Sequence, residues 1–144
     1  MAKEAFTDEQ RAEIRQAIQT AELNTSGEVK VHIENNCKGD ALDRAAFVFE
    51  QLKMHKTELR NGVLFYLALK DRQFAILGDI GINQKVPKDL WDDISKMMLK
   101  LFKEGDYTKG LVEGIKTAGL QLKAHFPYQQ DDINELSDDI SFGK

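Results

Sequence analysis

The stretch NGVLFYLALKDRQFAIL, residues 61–77, decides the fold. Residues 63–69 are apolar without a break, which is typical of a strand whose sheet is covered by helices on both faces. A short polar turn, residues 70–73, leads into a second apolar run at residues 74–77. A connection this short requires antiparallel pairing, so the sequence predicts a buried β-hairpin.

The segment before this hairpin predicts another strand and a helix. Residues 28–34 alternate between polar and apolar side chains, the pattern of a strand with one exposed face. Residues 41–54 carry apolar side chains at helical spacing. A strand that reaches the next strand through a helix forms a crossover, so we expect these two strands to be parallel.

Further helices are predicted before and after this βαββ core in the sequence. Thr7 begins a capping-box pattern at the start of a helix over residues 8–22. An apolar stripe over residues 90–102 predicts a third helix, and the elbow at residues 104–106 separates it from a last helix over residues 107–125. The expected fold class is α/β, a three-layer α/β/α sandwich with a small mixed β-sheet.

Length and composition indicate one compact domain. The chain has 144 residues, of which 42% are hydrophobic and 31% charged, which excludes a largely disordered chain. No apolar run is long enough to span a bilayer and no signal peptide is visible, so we expect a cytoplasmic protein without a membrane span. We predict a domain over residues 1–127 and an acidic, flexible tail over residues 128–144.

Charge and cysteine content exclude several classes of function. The chain has 20 Lys and Arg against 24 Asp and Glu, and the excess of acids lies in the tail. A neutral body with an acidic tail lacks the positive surface of a nucleic-acid-binding protein, so no nucleic-acid partner is expected. The single cysteine, Cys37, excludes an internal disulfide and any zinc site built from several cysteines.

The predicted topology gathers acidic side chains at one edge of the sheet. The two parallel strands start at that edge, which places Glu28 near Asn61, and the antiparallel third strand ends there, which adds Asp79. We expect the elbow to bring Glu104 and Asp106 to the same edge. Carboxylates held together repel one another unless a cation or a proton stabilises them, and oxygen ligands suit Ca²⁺ or Mg²⁺. The sequence therefore predicts a divalent-cation site with these four carboxylates and the Asn61 amide oxygen as ligands.

Each of the four carboxylates also has a plain structural interpretation. Asp79 suits a turn, Asp106 suits a helix N-cap, and Glu28 and Glu104 suit solvated ends of a strand and a helix. Arg72 is a candidate clamp for an anionic substrate, but the hairpin turn should hold it at the opposite edge of the sheet.

Three segments resemble the TPM domain family. They are residues 61–87 (NGVLFYLALKDRQFAILGDIGINQKVP), the SGE sequence at residues 26–28, and residues 102–115 (FKEGDYTKGLVEGI). The resemblance covers roughly residues 7–127. It implies an α/β/α sandwich with an acidic pocket that binds divalent cations. Acid phosphatase activity is known for only part of the family. The usual member is exported or membrane-anchored, whereas this sequence predicts a cytoplasmic protein.

Three functions follow as hypotheses. The leading one is a Ca²⁺- or Mg²⁺-binding domain without strong catalysis. The first alternative is a metal-dependent acid phosphatase of low activity, for which the sequence assigns no catalytic residue. The second is a protein-interaction module that binds a partner through the acidic tail or through a strand face formed by Lys30, His32 and Glu34.

Overall fold

The computed structural model describes residues 2–128 and 139–143. Short 3-10 turns lie at Ala2–Ala5 and Met54–Lys56. The helices and strands, in chain order, are α1 (Asp8–Glu22), β1 (Glu28–Glu34), α2 (Ala41–Gln51), β2 (Gly62–Ala68), β3 (Gln73–Gly78), α3 (Ile80–Asn83), α4 (Leu90–Lys103), α5 (Tyr107–His125) and β4 (Ser141–Phe142). No helix in these described ranges is long and apolar enough to cross a membrane.

The four strands form one mixed sheet in the order β3-β2-β1-β4. β1 and β2 are parallel, with Glu28 opposite Gly62, and β2 and β3 are antiparallel, with Val63 opposite Gly78. The predicted crossover and hairpin are therefore confirmed. The starts of β1 and β2 and the end of β3 lie together, here called the Glu28 edge. The ends of β1 and β2 and the start of β3 form the opposite side, here called the Arg72 edge after the residue in the β2–β3 turn.

Each face of the sheet has its own hydrophobic core, which confirms the three-layer sandwich. On one face, side chains of β1 and β2 such as Val31 and Phe65 pack with residues of α1, α4 and α5. On the other face, Leu64 and Tyr66 pack with residues of α2. Because β2 is buried on both faces along its whole length, its sequence is continuously apolar.

β1 differs from its prediction. All seven of its residues are buried, including Lys30, His32 and Glu34. These side chains share the face of Tyr66, which α2 covers. The alternating pattern thus marks a polar layer inside the protein, and the strand face that we expected to bind a partner is not exposed.

The C-terminal segment differs as well. Ser141–Phe142 pair with His32 and Ile33 as the parallel strand β4. Ile140 and Phe142 pack against the larger core, the one that contains residues of α1, α4 and α5. This part of the predicted flexible tail is a strand, because β1 otherwise presents an edge of unpaired backbone groups. Residues 129–138 lie outside the described residues, so the flexible tail remains a prediction for them, as does the domain boundary at residue 127.

Candidate functional site

Three of the five predicted ligands meet at the Glu28 edge. Glu28 is the first residue of β1 and is 2% exposed. Asn61 precedes β2 and is also buried, with its Nδ2 3.5 Å from the Ser26 hydroxyl oxygen. Asp79 follows β3 and is 7% exposed. The strand pairing that the sequence predicts is what brings these residues to one edge.

Arg60, which the sequence analysis missed, neutralises the Asp79 carboxylate. Its Nε donates to Asp79 Oδ2 at 2.7 Å and its Nη2 donates to Oδ1 at 2.8 Å. Asp79 Oδ1 also accepts the backbone N–H of Ile80, which caps α3. The hydrogen bonds to Asp79 raise the pKa of the Arg60 guanidinium. The position of Arg60, next to Asn61 at the start of β2, is the signal that could have placed it at this edge.

The elbow lies at the other edge of the sheet. Gly105 lines one cavity with Arg72 and Phe74, and a second with Leu69. The Phe102 ring at the end of α4 packs edge-on against the Phe74 ring, with 5.2 Å between the ring centroids. The structure therefore separates Glu104 and Asp106 from Glu28, Asn61 and Asp79.

The length of α4 explains this separation. Its start is held at the Glu28 edge, where the Trp91 indole N–H donates to Asn83 Oδ1 at 2.8 Å just after β3. With 14 residues, α4 is about 21 Å long. The six residues of β3 span about 20 Å, so the helix runs back across the whole sheet and ends at the Arg72 edge. Within the described residues, no group of three or more His, Cys, Asp or Glu side chains is placed to hold a metal ion.

The two elbow carboxylates are exposed. Asp106 is the N-cap of α5, and its Oδ1 accepts the N–H of Lys109 at 3.0 Å. Glu104 ends α4, and Gly105 between them has a φ of +86°, which favours glycine. Neither carboxylate has an ion-pair partner among the residues described here.

Two cavities have Gly105 of the elbow in their walls. The first, of about 430 Å³, is lined by Arg72 and Lys103 together with Phe74 and Tyr107. The second, of about 280 Å³, lies towards α1 and includes Asp106. The prediction that Arg72 lies across the sheet from Asp79 is confirmed, and the elbow shares its edge.

The turn that carries Arg72 is tied to the neighbouring loop. Asp71 Oδ2 accepts the N–H of Cys37 at 2.7 Å, and the N–H of Lys70 donates to the Asn35 carbonyl oxygen at 2.8 Å. Arg72 has a φ of +52°, the left-handed conformation that such a turn requires. These bonds fix the backbone from which the Arg72 side chain extends.

A buried polar network around Glu34 is the second feature that the sequence analysis missed. Glu34 Oε2 and Oε1 accept hydrogen bonds from Arg44 Nε at 2.8 Å and Nη2 at 2.9 Å. The Tyr66 hydroxyl also donates to Oε2, and His32 Nε2 lies 3.1 Å from Oε1. Burial raises the pKa of Glu34, but these donors outweigh it and hold the pKa at about 2. Glu34 is thus an ionised carboxylate whose oxygens are already bound.

His32 connects this network to the C-terminal strand. Burial lowers the pKa of His32, the neighbouring Glu34 raises it, and the positive charge of Arg44 lowers it, so the net shift is downward. Because the ionised Glu34 can only accept, Nε2 of the neutral ring carries the hydrogen. Nδ1 then accepts a hydrogen bond from the Ser141 hydroxyl at 2.8 Å.

Solved structures share this fold. The NMR structure of the BA42 protein from the psychrophilic bacterium Bizionia argentinensis is 47% identical, with a TM-score of 0.89 over 96% of this chain and 95% of that chain. The N-terminal domain of a P. gingivalis protein is 20% identical, with a TM-score of 0.70 over 87% of this chain and 83% of that one. The N-terminal domain of the cg2496 protein from Corynebacterium glutamicum is 14% identical, with a TM-score of 0.65 over 81% and 74%. The last two similarities concern the fold alone.

Sequence comparison identifies the family. No curated protein matches this chain significantly. The TPM domain matches residues 2–121, which include the β1–β2–β3 core and the elbow. With this match over most of its length, the chain belongs to the TPM domain family.

Proposed function

We propose that this TPM domain binds a divalent cation, Ca²⁺ or Mg²⁺, at the elbow formed by Glu104, Gly105 and Asp106. The observation that supports the elbow is the difference in charge compensation between the two edges. Asp79 is buried and paired with Arg60, whereas Glu104 and Asp106 are exposed and have no ion-pair partner in the described residues. A cation bound by Asp79 would have to displace Arg60, and a cation at the elbow would not.

The chemistry of the elbow suits a weak, solvated site. Ca²⁺ takes six to eight oxygen ligands and accepts water and backbone carbonyls among them, so two carboxylates are enough to hold it with about millimolar affinity. Asp106 Oδ1 is occupied by the N–H of Lys109, which leaves Oδ2 for a cation. The resemblance to the TPM family, which implies an acidic cation-binding pocket, supports the same activity.

Thermal melting across a Ca²⁺ and Mg²⁺ titration tests this proposal and locates the site. We expect a cation at 100 times its dissociation constant to stabilise the fold by about 2.7 kcal/mol. Glu104→Gln and Asp106→Asn should each weaken the affinity about tenfold, a loss of about 1.4 kcal/mol in binding.

Glu28→Gln and Asp79→Asn are the matched controls at the opposite edge and should leave the affinity unchanged. Loss of binding in these two variants alone would place the cation at the Glu28 edge, where the sequence analysis expected it. A melting temperature that does not respond to Ca²⁺ or Mg²⁺ at about 100 times the expected millimolar dissociation constant would rule out the function.

Hydrolysis of a phosphomonoester is a second candidate, and the position of Arg72 favours it. Arg72 and Lys103 line the cavity beside the elbow, so a phosphate there would meet two cationic side chains next to the proposed cation. A guanidinium binds two phosphate oxygens at once, which would orient the phosphorus towards an attacking water. Water would form the new P–O bond and lose a proton to solvent, while the bond to the leaving alcohol breaks and its oxygen takes a proton from solvent.

An assay on an aryl phosphomonoester, with and without Mg²⁺ or Ca²⁺, tests this activity. Arg72→Asn is the informative variant because asparagine tolerates the left-handed backbone of the turn. We expect it to raise KM and lower kcat/KM at least tenfold, and the control Lys70→Asn in the same turn to change neither. Turnover that is independent of metal, or equal in both variants, would contradict this mechanism.

A further inference from the structure

We propose that the outer side of β1 is an acceptor site for an extended peptide of a partner protein, and that the chain's own residues 139–143 occupy it in the partner's absence. The occupant we infer has an acidic residue followed by an apolar residue, a hydroxyl residue, an aromatic residue and glycine. Residues 139–143, DISFG, show this pattern.

The backbone of β1 supplies the first part of the site. β4 pairs in register with only His32 and Ile33 of the seven residues of β1. Beyond this short ladder, the N–H of Gly143 donates to the Ile33 carbonyl oxygen at 2.8 Å. The outer edge of a strand is a template for an added strand, and an extended peptide binds to such an edge through main-chain hydrogen bonds.

Side chains of β1 supply the selectivity. The hydroxyl of Ser141 bonds to His32 Nδ1 at 2.8 Å. A Cβ at position 143 would lie 2.6 Å from Glu34 Oε1 and 3.0 Å from His32 Nε2. Arg44 holds Glu34 in place with two hydrogen bonds, so these atoms cannot move away easily. The site therefore requires glycine at its last position.

The contacts on the other face of the bound segment explain why the segment has two apolar residues and an acidic one. Ile140 and Phe142 pack against the larger core. Asp139 lines an open cavity of about 440 Å³ together with the basic side chains Lys3, Arg11 and Arg15 and with Asp8, which pairs with Arg11, so the wall keeps a basic excess. A partner peptide with an acidic residue before its apolar residue would place a negative charge against this basic surface.

The chain's own segment acts as a competitor for this site. A segment tethered to its binding site has an effective concentration on the order of millimolar, so it excludes a weak partner until it is displaced. β4 has two residues, so few main-chain bonds oppose its displacement.

The test measures binding of a labelled peptide to the full-length chain. The probe is a fluorescein-labelled peptide with the sequence of residues 138–144, DDISFGK, followed by fluorescence anisotropy. Gly143→Val in the protein sets a side chain against Glu34 and His32, so we expect it to release the internal segment, and it changes no residue of β1. We expect this variant to bind the probe at least about tenfold more tightly than the parent chain does, because its own segment no longer competes.

The matched control is the same peptide with valine in place of its glycine, which should not bind. A Gly143→Val protein that melts cooperatively but binds neither peptide, or both equally, would overturn the proposal. Size-exclusion chromatography of the parent chain gives another outcome. A dimer that grows with concentration would identify a second copy as the occupant and would overturn the partner peptide.

Hydrogen exchange in the parent chain tests the same idea without a variant. We expect the Gly143 amide to exchange through local release of β4, much faster than the amide of Leu64 in the centre of the sheet. Equal exchange of the two amides, at the rate of global unfolding, would show that β4 is a permanent strand and would contradict the proposal.

Discussion

At the scale of single residues, Glu34 and Asp79 show how a buried carboxylate is stabilised without a metal. Each accepts two hydrogen bonds from one arginine, Arg44 and Arg60 respectively. Each also accepts at least one further hydrogen bond, from Tyr66 to Glu34 and from the backbone to Asp79. A carboxylate that is paired and bonded in this way has little to gain from a cation, and this distinguishes both residues from Glu104 and Asp106.

Replacement of Glu34 by glutamine should be strongly destabilising. The change removes one partner of a buried ion pair and leaves Arg44 and Tyr66 with a weaker acceptor. We expect the free energy of unfolding to fall by about 3 kcal/mol, as measured by urea denaturation. Glu104→Gln is the exposed control and should change stability by less than about 0.5 kcal/mol. Equal effects of the two substitutions would contradict a structural role for the Glu34 network.

At the scale of elements, α5 packs closely against its neighbours through glycines. Gly110 and Gly114, four residues apart, both face α4, where a Cβ would collide with Phe102 or Met98. Gly119, further along α5, faces α1, and a Cβ there would lie 2.7 Å from the Cβ of Ala21 and 3.0 Å from its Cα. These contacts fix α5 between α1 and α4 and thereby fix the elbow at its start.

Gly119→Ala should destabilise the protein even though alanine favours a helix. The propensity gain is about 1 kcal/mol. Overpacking costs about 1–3 kcal/mol, and Ala21 has no side-chain torsion that could relieve the collision. We expect a net loss of about 1 kcal/mol in the free energy of unfolding. Lys116→Ala, at an exposed position of the same helix, is the control and should have little effect; a stabilised Gly119→Ala protein would show that α1 and α5 can separate without cost.

At the scale of the whole molecule, the buried network should make the fold sensitive to acid. The pKa of His32 is lowered by burial, so the unfolded chain binds a proton more readily, and stability falls as the pH drops below about 6.5. The pKa of Glu34 is held at about 2 by its donors, so its contribution is complete above the unfolded value of 4.5 and is lost as the pH falls towards 2. Both effects have the same sign.

Urea denaturation at several pH values between 7 and 2 measures this dependence. We expect the parent chain to lose stability continuously over this range, in two overlapping steps. Glu34→Gln should remove the step between about pH 4.5 and 2, since glutamine does not titrate there. If the free energy of unfolding of the variant still falls as steeply with pH between about 4.5 and 2, other carboxylates are responsible for the acid sensitivity.

Much of the fold could be predicted from the sequence because the signals that define it are local. The unbroken apolar run before residue 70, the short polar turn after it and the helical stripes predict the elements, and turn length together with the crossover predicts how β1, β2 and β3 pair. The same pairing correctly places Glu28, Asn61 and Asp79 at one edge. The family resemblance is carried by these same segments, and the match over residues 2–121 confirms it. Cytoplasmic location and the identity of any partner remain predictions.

What the sequence by itself determined about this protein is therefore its long helices, its first three strands with their order, and its family. Only the tertiary structure decided which charges meet. The elbow lies at the Arg72 edge because α4 is as long as β3, the strand that it runs along. Arg60 neutralises Asp79 although the two residues are 19 positions apart in the sequence. The Ser141 hydroxyl reaches His32 across 109 positions. Charge compensation depends on distances of about 3 Å between side chains that are remote in sequence, and local periodicity carries no information about such distances.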